Sequence, residues 1–144
     1  MISQTVEYAL RSAVYVASRP DEPSTSLQIS EATQVPPAYL AKVLRSLSRA
    51  GIIHSQRGLG GGYRLASPAS ELTLMRIVDA VDPLPRIRGC PLGLPQHGGV
   101  LCPLHRSLDA ALAAVENSFR NTTLADLLGR NPGHPLCEFA RPRF

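Results

Sequence analysis

The chain has 144 residues, 15 Lys and Arg against 11 Asp and Glu, a formal charge of +4 and 44% apolar residues. That length suits one domain, or one and a half, and buries roughly 70% of the surface of the unfolded chain, so the core needs no disulfide staples. Three cysteines, an odd number, argue against a closed disulfide framework. No apolar run approaches the roughly 18 residues of a membrane span, and Met1 leads straight into a polar helical pattern, which predicts a soluble, cytoplasmic protein without a membrane partner.

The charge is concentrated. Between Glu31 and Glu71, 39 residues carry Lys42, Arg45, Arg49, Arg57 and Arg64 with no carboxylate, a local charge of +5. Outside that stretch 10 basic and 11 acidic residues nearly cancel. Fourteen of the 15 basic residues are Arg, whose planar fork suits phosphate and guanine.

Helical spacing appears first at Val6, Leu10, Ala13, Val14 and Ala17, and predicts a helix over 3–19 that stops at Pro20. Ser24, Thr25 or Ser26 can cap a short second helix carrying Leu27, Ile29 and Ala32, which closes at 33–35. Pro36 and Pro37 set the start of a third helix with the buried stripe Leu40, Val43, Leu44, Leu47 and Ala50, and Gly51 is its left-handed stop. Two β-branched-rich pieces, 52–56 and 63–66, flank Arg57-Gly58-Leu59-Gly60-Gly61-Gly62, a hairpin tip. Three helices and a hairpin make a winged helix-turn-helix, so the fold class is mainly α with a small β-hairpin wing.

A fourth helix is expected over 72–81, stopped by Pro83 and Pro85. From 86 to 101 glycines and prolines break every period, and this loop holds Cys90 and His97. Pro103 then opens a long helix with the stripe Leu104, Leu108, Ala111, Leu112, Val115 and Phe119, too extended for one small domain to cover, so a homodimer is expected. A short helix over 123–128 precedes a loose tail with His134 and Cys137, which, like His54 on the first strand, is read as carrying no ligand. The chain divides into a reader over 1–82, a metal- or redox-sensing loop over 83–102, a dimerisation region over 103–130 and a tail over 131–144.

On the third helix, Tyr39, Ala41, Lys42, Arg45 and Arg49 lie off the buried stripe, small groups first and positive charge after. Such a face fits a major groove about 12 Å wide, where Lys42 and Arg45 reach bases or phosphates of a double-stranded operator. Arg57, flanked by glycine at the wing tip, suits a narrow minor groove or a phosphate; Gly60, Tyr63 and Arg64 complete the expected DNA contacts. The glycine run is no nucleotide loop, because no Gly-Lys-Ser/Thr follows it and it opens no helix.

Cys102 and His105, three residues apart on the first turn of a helix, share a face, and the helix dipole there favours an anion such as a metal-binding thiolate. With Cys90 and His97 they offer two sulfurs and two imidazoles, a set that suits zinc or a [2Fe–2S] cluster with mixed ligation, whose potential would lie above that of an all-cysteine cluster. No nucleophile–base pair or paired-carboxylate pattern appears outside this loop, so an enzyme is not expected.

These motifs resemble a known family over about residues 1–130: the IscR/NsrR/CymR-like winged-helix regulators, or Rrf family. The resemblance runs through Glu7-Tyr8-Ala9-Leu10-Arg11, Leu47-Ser48-Arg49-Ala50-Gly51-Ile52-Ile53, the wing Arg57-Gly58-Leu59-Gly60-Gly61-Gly62-Tyr63-Arg64-Leu65, and Thr123-Leu124-Ala125-Asp126-Leu127. It implies a homodimeric winged-helix repressor or activator, read here as a repressor, joined through its long C-terminal helix and, as in many members, carrying an iron–sulfur cluster in the loop before it. The family's wing arginine falls on Arg57, and its base-reading positions fall on Pro36, Tyr39, Ala41 and Lys42; a capping serine and a glutamate of some members are replaced by Pro36 and Ala41. Of three cluster cysteines the first matches Cys90 and the third Cys102; the middle one is replaced by Gln96 or His97, and a histidine ligand matches His105. An acidic ligand that some members take from the first helix matches Glu7, so a second set is Cys90, Cys102, His105 or His97, and Glu7 of the partner subunit. The alternative is a cluster-free regulator with no cofactor, controlled by thiol oxidation, zinc or, as the CymR branch of the family implies, a protein partner.

Overall fold

The computed structural model describes residues 2–129 of the chain. Its elements run α1 (Gln4–Ala17), α2 (Ser26–Thr33), α3 (Pro37–Arg49), β1 (Ile53–Gln56), β2 (Gly62–Leu65), α4 (Leu74–Val81), α5 (Pro103–Arg120) and α6 (Leu124–Gly129), with short turns at Ala69–Glu71 and Pro95–His97. Helix ends follow local chemistry. The Ser3 side chain accepts from Val6 N at the start of α1, and Thr25 and Gln28 form a reciprocal capping box on α2. Pro37 supplies a preset first turn for α3, and Gly51 leaves it at φ +71.

Leu40, Val43, Leu44 and Leu47 of α3 are buried as the spacing predicts, and each side chain of this size contributes about 1.5–3 kcal/mol on leaving water. Ala50 lies instead at the exposed C-cap, where the chain has already turned away. Two expectations about burial shift for one reason, the number of neighbours a helix meets. The α1 helix packs on α2, α3, α4, α6 and β2, so its buried arc widens to include Ala9, Ser12, Tyr15 and Val16, while Leu10 and Val14 are half-buried at its flank. The short α2 buries only Ile29 and Thr33, and Leu27 is 64% exposed.

The wing is an antiparallel pair in the register Ile53↔Leu65 to Gln56↔Gly62. A third short rung joins it: Ser24 N donates to Tyr63 O at 2.9 Å and Tyr63 N to Ser24 O at 2.8 Å. That approach depends on Gly62, since a Cβ there would stand 2.7 Å from the Ser24 carbonyl.

The helix expected from 72 begins only at Leu74, because Leu72 is used differently: Leu124 N donates to Leu72 O, and Leu74 N to Thr122 O, both at 2.9 Å. This bridge ties the end of α5 to the segment that opens α4. Thr123 and Asp126 cap α6 reciprocally, and Leu124 is fully buried in the same core as α1 and α3. Gly129 closes α6, and the expected tail over 131–144, with His134 and Cys137, lies outside the described residues. Among the described residues no helix is long and apolar enough to cross a membrane.

Candidate nucleic-acid interface and cysteine loop

The basic run folds into two adjoining elements. On α3, Ala41, Lys42, Arg45 and Arg49 are exposed, because the 3.6-residue period that buries the Leu40–Leu47 stripe turns these positions outward. Tyr39 is 52% exposed, and its ring meets Tyr8 of α1 edge-on with centroids 5.9 Å apart. Between α2, α3 and the wing lies a cavity of about 480 Å³ whose lining includes Leu27, Pro37, Ala41, Arg45 and Tyr63. The basic face of α3 and the wing therefore meet at one concave surface.

Arg57 and Gly60 are exposed at the wing tip. The tip is locked by Gly61 N donating to Gly58 O at 3.0 Å. The other two expected contact residues on the wing are engaged by the fold itself. Tyr63 packs half-buried against the core. The Arg64 guanidinium donates to Pro20 O at 3.0 Å and Asp21 O at 3.1 Å, fastening β2 to the turn after α1.

In the loop, Cys90 is half-buried, and Gly93 N donates to its carbonyl oxygen at 3.0 Å. The nearby backbone N–H dipoles, that of Leu94 first and then Leu92, favour the thiolate and hold its thiol pKa below the ordinary value. Cys102 is the N-cap of α5, and its Sγ lies 3.2 Å from His105 Nδ1, the shared face that the three-residue spacing predicts. His97 closes the turn Pro95–His97, and its side chain lies outside the described residues. Glu7 accepts from Arg11 Nε at 3.1 Å on its own helix, while Arg11 Nη1 reaches Thr33 O at 2.8 Å.

The donor types suit zinc or an iron–sulfur cluster, two thiols and an imidazole. One copy preassembles only part of such a set: among the described residues no three His, Cys, Asp or Glu side chains stand where they could hold one ion. Cys102 and His105 form a ready pair, which neither Cys90 nor Glu7 joins.

A polar clamp that sequence reading missed holds the start of the loop. Arg86 Nε and Nη2 donate to Asp109 Oδ1 and Oδ2, both at 2.8 Å, and Nη1 donates to Glu116 Oε2 at 3.0 Å. Ile87 N adds a bond to Asp109 at 2.9 Å, and Arg120 holds the other Glu116 oxygen at 2.6 Å. Arg86 and the Ile87 N–H lower the Asp109 carboxyl pKa to about 2; Arg120 and then Arg86 lower that of Glu116. The seven-residue spacing of Asp109 and Glu116 on α5 was the available signal, but Arg86 sits in a segment with no period.

Beside this clamp the apolar stripe of α5 divides. Phe119 packs on the chain's own core, whereas Leu104, Leu108 and Val115 are 63%, 47% and 37% exposed, and no residue of α5 is fully buried.

Comparison with known proteins agrees with this architecture. The profile of the Rrf2 family, described as an iron-dependent transcriptional regulator, matches residues 2–130. CymR, the global cysteine regulator of B. subtilis, is similar at 25% identity over 90% of this chain and 97% of its own, with a TM-score of 0.76. The oxidized form of Staphylococcus aureus CymR is similar at 25% identity over 90% and 96% of the two chains, with a TM-score of 0.70. T. potens IscR shares the fold at 20% identity over 90% and 87% of the chains, with a TM-score of 0.75. With the winged reader built as described and a profile spanning nearly its whole length, this chain belongs to the Rrf2 family of DNA-binding transcriptional regulators, which are not enzymes.

Proposed function

We propose that this chain is a homodimeric, cytoplasmic repressor that senses redox or nitrosative status through a [2Fe–2S] cluster held by its cysteine loop. One observation carries the reading: Cys102 and His105, 3.2 Å apart, flank Leu104, the first residue of the exposed stripe on α5. A ligand on that pair therefore sits where a second copy docks.

In this reading residues 1–82 bind operator DNA, 83–102 sense, and 103–130 dimerise. Tyr39, Lys42, Arg45 and Arg49 face the major groove, while Arg57 and the Gly60 backbone enter the minor groove. Cys90, Cys102 and His105 hold the cluster, completed by His97 or by Glu7 of the partner subunit. When bound, the cluster supplies one-electron redox sensitivity, and imidazole ligation raises its potential. The chain's own part is mechanical. Drawing Cys90 toward the Cys102–His105 pair orders the loop that Arg86 fastens to α5, which changes the spacing of two reading helices that must match half-sites about 34 Å apart. For Glu7 to ligate, its carboxylate must leave the Arg11 guanidinium.

The lowered thiol pKa of Cys90 favours a second reading, in which the thiolate is oxidised directly and no cluster is held. The likeness to a CymR described in an oxidized form points the same way. Zinc or a protein partner are the other cluster-free controls. Anaerobic purification with ultraviolet–visible spectra and iron, sulfide and zinc analysis, followed by footprinting of the loaded and stripped protein, tests the choice. Iron and sulfide in near-equal amounts with altered footprints support the cluster. A colourless, metal-free protein that represses normally refutes it, and regulation unchanged in C90S and C102S leaves only the partner protein.

A further inference from the structure

The wing tip carries a single side chain between residues 58 and 61, that of Leu59. It is 108% exposed, the most open large apolar side chain among the described residues. Singly exposed leucines are normal on protein surfaces. This one stands on a closed, glycine-wound turn. Gly61 N closes the turn onto Gly58 O at 3.0 Å, and a Cβ at Gly61 would stand 2.3 Å from Gln56 O, so the tip is tightly wound and glycine is required to wind it. Behind it, the hairpin is fastened through Ser24 to Tyr63 and through Arg64 to Pro20 and Asp21. The fold presents one apolar knob on a ribbon stripped to backbone, two residues beyond the exposed Arg57.

We infer that Leu59 is a wedge that enters the minor groove of bound DNA and partly unstacks a base step, bending the duplex toward its major groove. This rests on the DNA-binding reading above and adds a specificity-determining residue to it. The minor groove is about 6 Å wide, so among chain segments a glycine-flanked tip without neighbouring side chains is the form that enters. An arginine beside it is drawn by the negative potential of a narrow groove, and an apolar side chain on the groove floor gains by leaving water. Unstacking is easiest at pyrimidine–purine steps, so Leu59 selects sequences with such a step under each wing without a hydrogen bond to any base.

The test uses the full chain and a short duplex selected by the wild-type protein from a random-sequence pool. Bending is read by circular-permutation gel mobility, and unstacking by 2-aminopurine fluorescence placed at each step in turn. Wild type should bend the duplex and brighten one step under each wing. L59A should lose both signals and about tenfold in affinity for that duplex, while its salt dependence stays unchanged because no phosphate contact is removed. L59M, of similar volume, should restore them. If L59A binds and bends as wild type does, the wedge is overturned while the regulator reading stands; intact bending with lost repression in cells assigns Leu59 to a protein contact and also overturns it. Wild type without salt-dependent affinity for any duplex overturns both.

Discussion

Replacing Gly62 by alanine separates the wing's attachment from the rest of the fold. In the native backbone the new Cβ would stand 2.7 Å from the carbonyl carbon and oxygen of Ser24 and 3.1 Å from its nitrogen, at a φ of +149 that side-chain-bearing residues rarely adopt. The backbone strain alone costs about 1–3 kcal/mol. Relieving the clash by parting the chains removes the bonds Ser24 N to Tyr63 O and Tyr63 N to Ser24 O, each contributing about 0.5–1.5 kcal/mol. The expected loss is therefore about 2–6 kcal/mol, a large part of the 5–15 kcal/mol typical of a domain and short of unfolding a chain in the upper part of that range. Urea denaturation followed by circular dichroism should show this drop. Duplex affinity of the still-folded protein should fall by about 1–3 kcal/mol, as for the loss of one groove arginine, because Arg57 is carried by the displaced hairpin. Gly58→Ala is the control: it also lies at positive φ, but its Cβ would meet nothing within 4 Å, so it should lose only the strain. If Gly62→Ala proves no less stable than Gly58→Ala and binds duplex as wild type does, the Ser24–Tyr63 rung is not what holds the wing.

The acid limb of stability should depend on Asp109, whose carboxyl titrates near 2 in the folded chain against about 3.9 when unfolded. Its contribution is present above pH ~4 and disappears as pH falls toward 2, so Asp109→Asn should flatten the stability profile in that window, as thermal melts will show, and an unchanged profile would discredit the clamp. Leu124→Ala should cost about 2–5 kcal/mol in a single cooperative transition, because this side chain is fully buried in the reader's core; a melt that loses only a late, separate phase would contradict that placement. Leu108→Glu puts a charge on the exposed stripe of α5; analytical ultracentrifugation should find a folded monomer, and an intact dimer would remove that stripe from the interface.

Much of the fold was legible along the chain because helices and hairpins are governed by neighbours a few residues away. The Leu40 to Leu47 stripe, a cap for α2 among Ser24, Thr25 and Ser26, the glycine-rich tip and the Cys102–His105 pair all follow from a helical period, a capping rule or a turn requirement. The exposed basic face of α3 followed too, since burying one side of a helix leaves the other to solvent. What the residues could not announce were pairings across long separations. Arg86 finds Asp109 23 residues on, and Arg64 finds Pro20 44 residues back. No local pattern marks either partner, so the part Arg64 plays in fastening β2 to the turn after α1 was invisible along the chain. Periodicity likewise located the apolar stripe of α5 without saying what covers each part. Folding assigned Phe119 to the chain's own core and left Leu104, Leu108 and Val115 bare. The pattern along a helix reports which residues avoid water, and only packing in three dimensions chooses the neighbour that shields them.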